Sequence, residues 1–463
     1  MVFTSFDYLI FLAAVFVVYW ILRIKCLQNL LLLIGSYVFY GYIHPWFCIL
    51  IFFSTVIDYF TGLAISHFAE KRKIFFIISL GCNLAILGFF KYFNFFANNI
   101  LTLASSIGFK VQPTTFHILL PVGISFYTLQ KLTYVIELYR GNIPVRKNFI
   151  DFALFVSFFP QLLSGPIERA SRLLPQIEQT RRWDWEMFSS AWPLVVRGYL
   201  KKLVIADNVS VYVDKIFMLD HPTFMLLTAG TLAFTLQIYA DFSAYTDIAR
   251  GSAKLLGFNL MENFNSPYLA VSPSDFWRRW HISFSSWIRD YLYIPLGGSR
   301  VNAKWKYAMI LLISLGLSGL WHGAAWNFVV WGIYYASLIF IYRLLGMSGR
   351  WTPKGKLLTI LSWMVMFCFT LIGWTIFRSS SIEWLIRIFS SNFSVGTSGD
   401  SLVVSSVVLS AVAFYSLPLF ILMFLDRIIP NRKFVHSMFY GLAIIMIMVL
   451  APGDSQDFIY SQF

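Results

Sequence analysis

The residue that stands out most for chemistry is His322, which lies in the run Ser318–Ala324 (SGLWHGA). This run separates two apolar segments, residues 307–317 and 325–342. Neither segment contains Asp, Glu, Lys or Arg. An ionisable side chain within such a stretch is expensive in a membrane and is a functional candidate by default. Neutral imidazole can take a proton from a hydroxyl group and return it to a leaving group. A histidine that only hydrogen-bonds between helices is the open alternative.

Two further features surround this candidate. Gly319 and Gly323 flank the Trp321-His322 pair and could let the backbone approach a substrate closely. A second histidine, His281, follows the run Trp277–Trp280 (WRRW). It could handle a proton or orient a reactant, or it could belong to an aromatic belt at the membrane interface with arginines that reach the headgroups.

A third set of polar groups lies in the apolar segment 224–248. Its second half contains an amide, several hydroxyls and two carboxylates, which cannot all face lipid. These side chains could orient a substrate, or the carboxylates could pair internally with Arg250, Arg278 or Arg289. The polar residues of this half that we predict to face an interior are Gln237, Tyr239, Asp241 and Asp247.

Composition places the chain in the membrane. Its formal charge is 36 − 22 = +14, yet only 13% of its residues are charged and 58% are hydrophobic. Soluble domains are nearer about 25% charged. The excess of cations is typical of cytoplasmic loops and not of a nucleic-acid binder. The four cysteines show no metal-ligand spacing, and no phosphate-binding glycine loop, Gly-x-Ser-x-Gly elbow or His-Glu-x-x-His motif is present. We therefore predict neither a metal site nor nucleotide hydrolysis.

The hydropathy pattern predicts one all-α polytopic domain over residues 1–463, with about 10–12 transmembrane helices. Basic loops after the first and third spans place the N-terminus outside the cytoplasm, and the C-terminus is expected on the same side. Residues 152–163, which precede Ser164-Gly165-Pro166, are too short to span and are predicted to be re-entrant. Residues 192–205 are predicted to form a helix at the membrane interface. Residues 276–296 are predicted either to lie at the cytoplasmic interface or to re-enter the membrane partly.

The longest motifs resemble a known family. Residues 275–285 (DFWRRWHISFS), 287–298 (WIRDYLYIPLGG), 318–323 (SGLWHG), 164–167 (SGPI) and 237–247 are similar to those of the membrane-bound O-acyltransferase superfamily. The similarity is greatest to its bacterial branch that acetylates alginate and peptidoglycan, and it extends from the first span to the last residue.

This resemblance implies a helical membrane enzyme with a central tunnel, in which acetyl from cytoplasmic acetyl-CoA meets His322 as the catalytic base. It carries the second family histidine over to His281. We predict that the tunnel lining includes Gln237, Tyr239, Asp241, Trp321, Arg289 and Asp290. Acetyl-CoA is a donor substrate, and no cofactor is expected. The implied location is the bacterial inner membrane, with both termini extracytoplasmic. The implied partner is an esterase-like (SGNH) transferase outside the cytoplasm, and no nucleic acid is expected to bind.

The last six residues, Phe458–Phe463, resemble the terminal Phe-x-Tyr-x-x-Phe motif of related acyl-transfer systems, in which the tyrosine carries the acyl group. A tyrosine hydroxyl, with a pKa of about 10, needs a base to attack a thioester at neutral pH. His322 could be that base for Tyr460. The alternative for Tyr460 is a frayed tail.

The main hypothesis is thus an acyltransferase that moves acetyl toward an extracytoplasmic polysaccharide such as peptidoglycan or alginate. The alternative is a polytopic transporter or channel, because buried carboxylates, arginines and histidines also mark solute pathways. That class often shows internal symmetry between chain halves, which this sequence lacks. A third possibility, an idle scaffold, is disfavoured by the presence of both His322 and His281.

Overall fold

Every regular element that a computed structural model of the chain describes is a helix. The structure describes residues 1–109, 118–390, 399–429, 433–453, 456 and 458–459. The α-helices of the first part of the chain are α1 (Phe6–Ile21), α2 (Lys25–Gly41), α3 (Phe47–His67), α4 (Arg72–Leu87), α5 (Phe93–Ser106), α6 (Ile124–Arg140), α7 (Phe149–Ser157), α8 (Phe159–Leu162), α9 (Ala170–Glu178) and α10 (Trp185–Tyr199).

The second part continues in the same way. Its α-helices are α11 (Asp207–Phe217), α12 (Phe224–Leu255), α13 (Pro273–Arg279), α14 (Ile282–Ile288), α15 (Lys304–His322), α16 (Trp326–Leu344), α17 (Lys356–Arg378), α18 (Ile382–Ser390), α19 (Gly399–Ile428) and α20 (Lys433–Leu450). Three π-helical turns are inserted, at Gly88–Tyr92, Leu200–Ala206 and Arg289–Tyr293. Such turns often mark functional positions in helical proteins.

Among the residues that the structure describes, six helical segments are long and apolar enough to cross a bilayer, which confirms the prediction of an all-α polytopic membrane protein. They are Phe47–His67, Ala69–Ser106, Phe224–Leu255, Trp326–Leu344, Lys356–Arg378 and Gly399–Ile428, and shorter apolar helices occupy Phe6–Ile21, Phe149–Leu162 and Phe434–Leu450. The larger number of spans estimated from hydropathy includes Phe6–Ile21 and Phe434–Leu450, whereas Phe149–Leu162 covers the segment predicted to be re-entrant. The central tunnel stays a prediction.

The helices group into two compact units. The first comprises Met1–Trp192 and Ala249–Met261, and the second comprises Pro193–Ile248 and Glu262–Phe463.

The first unit is held together partly by a buried polar network around Asp58 in α3. Its Oδ1 accepts hydrogen bonds from the Ser79 hydroxyl at 2.5 Å and the Asn83 amide at 2.7 Å, both on α4. The Lys131 ammonium on α6 lies 3.5 Å from Oδ2, and both charged side chains are almost fully buried. A buried charge is tolerated only when it is paired and hydrogen-bonded, so this network joins three helices.

The segment predicted to be re-entrant forms two short buried helices in the first unit, α7 and α8, with a break at Phe158. Glu168, four residues after Ser164, is fully buried and accepts the backbone N–H of Met261. Burial raises the pKa of this carboxyl to about 7. Glu168 is therefore a buried carboxyl and not a solvated one.

The second unit is organised around the α15–α16 hairpin. A Cβ added to Gly319 would lie 2.0 Å from the Phe328 carbonyl oxygen, and one added to Gly332 would lie 2.1 Å from the Leu315 carbonyl oxygen. A Cβ on Gly323 would lie 2.1 Å from the Phe328 ring. The expectation that Gly319 and Gly323 admit a substrate is thus corrected, because both are needed for contact between the two helices of the hairpin.

Candidate active site

His322 is the last residue of α15, at the turn of the hairpin, as the sequence predicted. Its side chain is buried, with the residue only 2% exposed. Aromatic rings of the described residues surround the imidazole, with centroid distances of 5.1 Å for Trp321, 5.1 Å for Trp331, 5.4 Å for Phe377 and 5.6 Å for Phe284. The low polarity of this surrounding strengthens any electrostatic interaction that the imidazole makes there.

His281 precedes α14 and is held in an unusual backbone conformation. Its φ of 44° and ψ of 54° lie in the left-handed region, which is uncommon for a residue other than glycine and is often found at functional positions. The residue is 1% exposed, and its ring lies 4.6 Å from the ring of Phe242. A belt position at the membrane interface does not fit this burial.

The two histidines converge on the same aromatic side chains. The Phe284 ring lies 5.1 Å from the imidazole of His281 and 5.6 Å from that of His322. The Trp321 ring lies 5.9 Å from His281 and stacks on Phe284 at 4.2 Å. Side chains 41 positions apart in the sequence are therefore brought to one aromatic-lined site by α14 and the end of α15.

Burial lowers the pKa of His281 to about 3. The imidazole is consequently neutral at physiological pH. It can accept a proton or a hydrogen bond, but it does not supply a standing positive charge.

The backbone around His281 is fixed by Asn263, which the sequence analysis did not identify. The Asn263 carbonyl accepts the Ile282 N–H at 2.9 Å, and its side-chain Oδ1 accepts the Ser283 N–H at 3.3 Å. Its Nδ2 donates to the Thr246 hydroxyl on α12 at 3.3 Å. Asn263 is fully buried. The isolated asparagine lies in no periodic pattern or motif, so no signal in the sequence distinguishes it.

The carboxylates of α12 pair with lysines rather than with the arginines considered from the sequence. Lys202 Nζ lies 2.8 Å from Asp241 Oδ1 and 2.8 Å from Asp207 Oδ1. Lys201 Nζ donates to Asp247 Oδ2 at 2.8 Å. Both lysines lie on the π-helical turn Leu200–Ala206 and are buried. The prediction of an interfacial helix over 192–205 is therefore wrong for these lysines. Their charges are paired with carboxylates in the protein interior and do not extend to the lipid headgroups.

Burial and the opposite charges of the neighbours act on the pKa values of Lys202 and Asp207 in opposite directions. Burial by itself lowers the pKa of Lys202, but the carboxylates of Asp241 and Asp207 more than offset it, and the net direction is upward. Burial raises the pKa of Asp207 to about 6 against the opposing effect of Lys202. The cluster thus holds two carboxylates around one ammonium.

The other predicted lining residues fall into two groups. Gln237 is half-buried, and its Oε1 has no hydrogen-bond partner among the residues that the structure describes. The Tyr239 ring packs on the nearby Tyr268 ring at 5.6 Å. Arg289 is exposed and pairs with Asp290 through Nε and Oδ1 at 2.7 Å, so these two residues do not share the burial of the histidines.

Three buried indoles add potential donors. Within the described part of the chain, the Nε1 groups of Trp280, Trp331 and Trp374 are buried and have no hydrogen-bond partner. Trp331 is the one that packs against His322, at 5.1 Å between centroids. Since buried polar groups normally find a partner, an N–H in this position is available to a polar ligand.

Tyr460 lies outside the described residues, but the two residues before it are described. The Phe458 ring packs on the Tyr245 ring at 4.3 Å and on the Phe242 ring at 5.8 Å. The Ile459 N–H donates to Asp241 Oδ2 at 2.8 Å. Phe242 also contacts His281, so the residues that precede Tyr460 pack on the same aromatic residue as the second histidine.

Comparison with known proteins identifies the family. The model of the membrane-bound O-acyltransferase family matches residues 83–386. The chain is 40% identical over 400 residues to a probable alginate O-acetylase of Pseudomonas aeruginosa, covering 86% of this chain and 76% of that protein. It is 34% identical over 409 residues to a peptidoglycan O-acetyltransferase of Helicobacter pylori, covering 81% and 75% respectively.

A more distant relative is a teichoic acid D-alanyltransferase of Bacillus subtilis, 27% identical over 270 residues, with 55% of this chain and 68% of that protein covered. The matched region includes both buried histidines and the α12 carboxylates in the case of the family model. The chain belongs to the membrane-bound O-acyltransferase family and is a multi-pass membrane acyltransferase.

Proposed function

We propose that this protein takes acetyl from cytoplasmic acetyl-CoA and passes it across the membrane for O-acetylation of an extracytoplasmic polysaccharide, with peptidoglycan and alginate as the model acceptors. The observation that carries the proposal is the convergence of His281 and His322 on Phe284 and Trp321 in a buried site. Membership of an acyltransferase family decides against the transporter or channel class.

Acetyl is favoured over D-alanyl as the transferred group because of the similarities to named relatives. Identity is 34–40% to the O-acetylases of Helicobacter and Pseudomonas, over four fifths of this chain or more. It is 27% over about half of the chain for the D-alanyltransferase. The donor we propose is accordingly acetyl-CoA, which acts as a substrate and not as a resident cofactor.

In the proposed step, neutral His322 accepts the proton of an attacking hydroxyl group. The hydroxyl oxygen forms a bond to the acetyl carbon, the thioester C–S bond breaks, and the sulfur leaves with the proton as free CoA thiol. The Trp331 N–H beside His322 is available to stabilise the negative charge that develops on the carbonyl oxygen. His281 acts as the neutral second histidine that orients the reactants.

We further propose Tyr460 as the hydroxyl that receives the acetyl group first. The phenol needs a base to react at neutral pH, and His322 is the candidate. A separate esterase-like transferase of the SGNH type would then move the acetyl group from the tyrosine to the polysaccharide. This scheme places the protein in the bacterial inner membrane with both termini outside the cytoplasm.

The test is the release of CoA thiol from acetyl-CoA by the purified protein. Replacement His322→Ala should lower the rate by about 10²–10⁴-fold, the usual contribution of a general base. The matched control is His67→Ala at an exposed position, which should turn over acetyl-CoA as the unmodified protein does. Unchanged thiol release by His322→Ala, with normal protein yield, would contradict the catalytic role.

A further inference from the structure

The last helix is tied at its end to the π-helical turn that carries the buried lysines. The Asn208 amide donates to the Leu450 carbonyl of α20 at 3.0 Å. The same amide donates to the carbonyls of Leu203 and Val204 in the π-helical turn at 3.1 and 3.0 Å. The chain after α20 therefore starts next to the segment that holds Lys202.

The residues that follow return to the lysine cluster. Asp241 Oδ2 accepts the Ile459 N–H at 2.8 Å, and the Asp207 carboxylate accepts the backbone N–H of Gln456. Lys202 lies between the two carboxylates and fixes both, at 2.8 Å from each. Hydrogen bonds from backbone N–H groups to carboxylates are among the stronger ones in proteins.

Apolar contacts complete the site. Phe458 and Ile459 are only 8% and 3% exposed. The Phe458 ring packs on Tyr245 at 4.3 Å and on Phe242 at 5.8 Å. A chain end that makes two backbone hydrogen bonds to buried carboxylates and buries two large side chains differs from a terminus that is simply frayed, since ordering it must offset its conformational entropy.

We propose that Lys202, Asp207 and Asp241 form a docking site for Gln456, Phe458 and Ile459, and that this docking, through chain connectivity, limits the reach of Tyr460 for acetyl transfer. The positioning rests on the proposed function, in which Tyr460 receives the acetyl group. Lys202, Asp207 and Asp241 act through the backbone of the tail and are thus positioning residues. Because Tyr460 follows Ile459 directly, the bond between Ile459 and Asp241 restricts where the phenol can go.

Ile459→Pro gives a direct test, because proline removes the one N–H that Asp241 accepts and leaves the buried cluster and Tyr460 unchanged. Ile459→Ala is the matched control, since it loses the aliphatic contacts but keeps the N–H. Both variants are made in the full-length chain and purified in detergent. The first measurement is the rate at which a carboxypeptidase removes residues 461–463, whose peptide bonds do not involve position 459, followed by mass spectrometry.

The second measurement is incorporation of radioactive acetyl from acetyl-CoA into the Tyr460 peptide. Loss of a hydrogen bond to a charged acceptor should accelerate digestion and slow tyrosine acetylation in Ile459→Pro, each by about tenfold or more. Ile459→Ala should change both rates less. If the substitution weakened donor binding, saturating acetyl-CoA would partly restore the acetylation rate of Ile459→Pro. The positioning role instead predicts a lower maximal rate, which saturating acetyl-CoA does not restore.

Two results would overturn the proposal. Equal digestion rates for Ile459→Pro and Ile459→Ala would show that Asp241 does not hold the tail. Faster digestion of Ile459→Pro with unchanged acetylation would show that the docked tail does not position the tyrosine. Failure of the proposed function is recognised separately, as absence of Tyr460 acetylation in the unmodified protein. That result refutes the role in acetyl transfer, whereas the digestion rates still report on docking.

Discussion

Each of the two compact units buries a lysine–aspartate pair, and the pairs differ in what else the carboxylate binds. In the first unit, Asp58 faces Lys131 and accepts its other hydrogen bonds from Ser79 and Asn83, which are side chains of a neighbouring helix. All partners of this network belong to the long helices α3, α4 and α6, and the network therefore serves to hold those helices together.

In the second unit, Lys202 binds two carboxylates, and both of these also accept backbone N–H groups from the C-terminal residues. The partners thus include backbone groups of Gln456 and Ile459, which follow α20 in the chain. The comparison indicates that equal burial of a charged pair does not define its role. A pair that supports the fold and a pair that binds a segment differ in which other groups donate hydrogen bonds to the carboxylate.

Asp58→Ala should have the largest effect on stability. It leaves the Lys131 ammonium buried without its counter-charge, which costs about 3–5 kcal/mol. Thermal unfolding in detergent and the yield of folded protein measure this loss. CoA release per folded molecule should be unchanged, because the network serves the fold.

The double variant Asp58→Leu with Lys131→Met provides the control. Replacing both members of a buried pair by apolar residues is often close to neutral, so most of the stability should return. A double variant that is stable but releases no CoA would contradict the distinction between the two networks and would give the Asp58 pair a part in turnover.

Gly319→Ala should have an intermediate effect on stability. It tests whether the second unit depends on close backbone packing in the α15–α16 hairpin as much as on its charged cluster. The added Cβ would lie 2.0 Å from the Phe328 carbonyl oxygen, so the two helices of the hairpin must separate. Overpacking of this kind costs about 1–3 kcal/mol. It should also slow CoA release, because His322 lies one turn further along the same helix.

Gly316→Ala is the matched control in the same helix, since a Cβ there meets nothing within 4 Å. It should be neutral, or stabilising by about 0.5–1 kcal/mol, because alanine favours the helix. Equal melting temperatures for Gly316→Ala and Gly319→Ala would show that contact across the hairpin is not limiting.

Of these substitutions, His281→Gln should have the smallest effect on stability at neutral pH. Its effect on stability should become distinct in acid. Burial lowers the pKa of His281 to about 3, whereas an unfolded histidine titrates at about 6.5. Below pH 6.5 the unfolded chain binds a proton that the folded chain does not, so this side chain destabilises the fold by up to about 1.4 kcal/mol per pH unit as the pH falls.

The melting temperature should therefore fall less between pH 7 and pH 5 in His281→Gln than in the unmodified protein. His67→Gln, at an exposed position, controls for the general effect of removing a histidine. An identical decrease in His281→Gln and His67→Gln would mean that His281 titrates in the folded protein and is hydrated.

Several features of the fold follow directly from the sequence. Long uncharged runs such as 325–342 have only helices as stable solutions in a bilayer, because every backbone polar group must be satisfied within the segment. Lys304, Lys306 and Arg343, at the outer ends of the two helices of the hairpin, indicate that the chain turns near His322. A carboxylate within an apolar run needs partners inside the protein, and Asp58 has them in Ser79 and Asn83.

Other features could not be predicted from the sequence because they depend on contacts between residues that are far apart in it. The basic character of 192–205 indicated an interfacial helix, but a π-helical turn directs Lys201 and Lys202 toward carboxylates of α12. Hydropathy treats each charge separately and cannot register its neutralisation by a residue about 40 positions away. Asn263 was missed for the same reason, since its role depends on the backbone of residues 282 and 283.

The sequence by itself determined the membrane class, the helical fold, the family motifs and the two candidate histidines, because hydrophobicity and motif identity are local properties. Only the tertiary structure decided that His281 and His322 share Phe284 and Trp321, that the carboxylates of α12 pair with lysines, and that Asp241 accepts the backbone N–H of Ile459. Those pairings depend on which helix faces meet, and this is settled by the packing of whole helices rather than by any single segment.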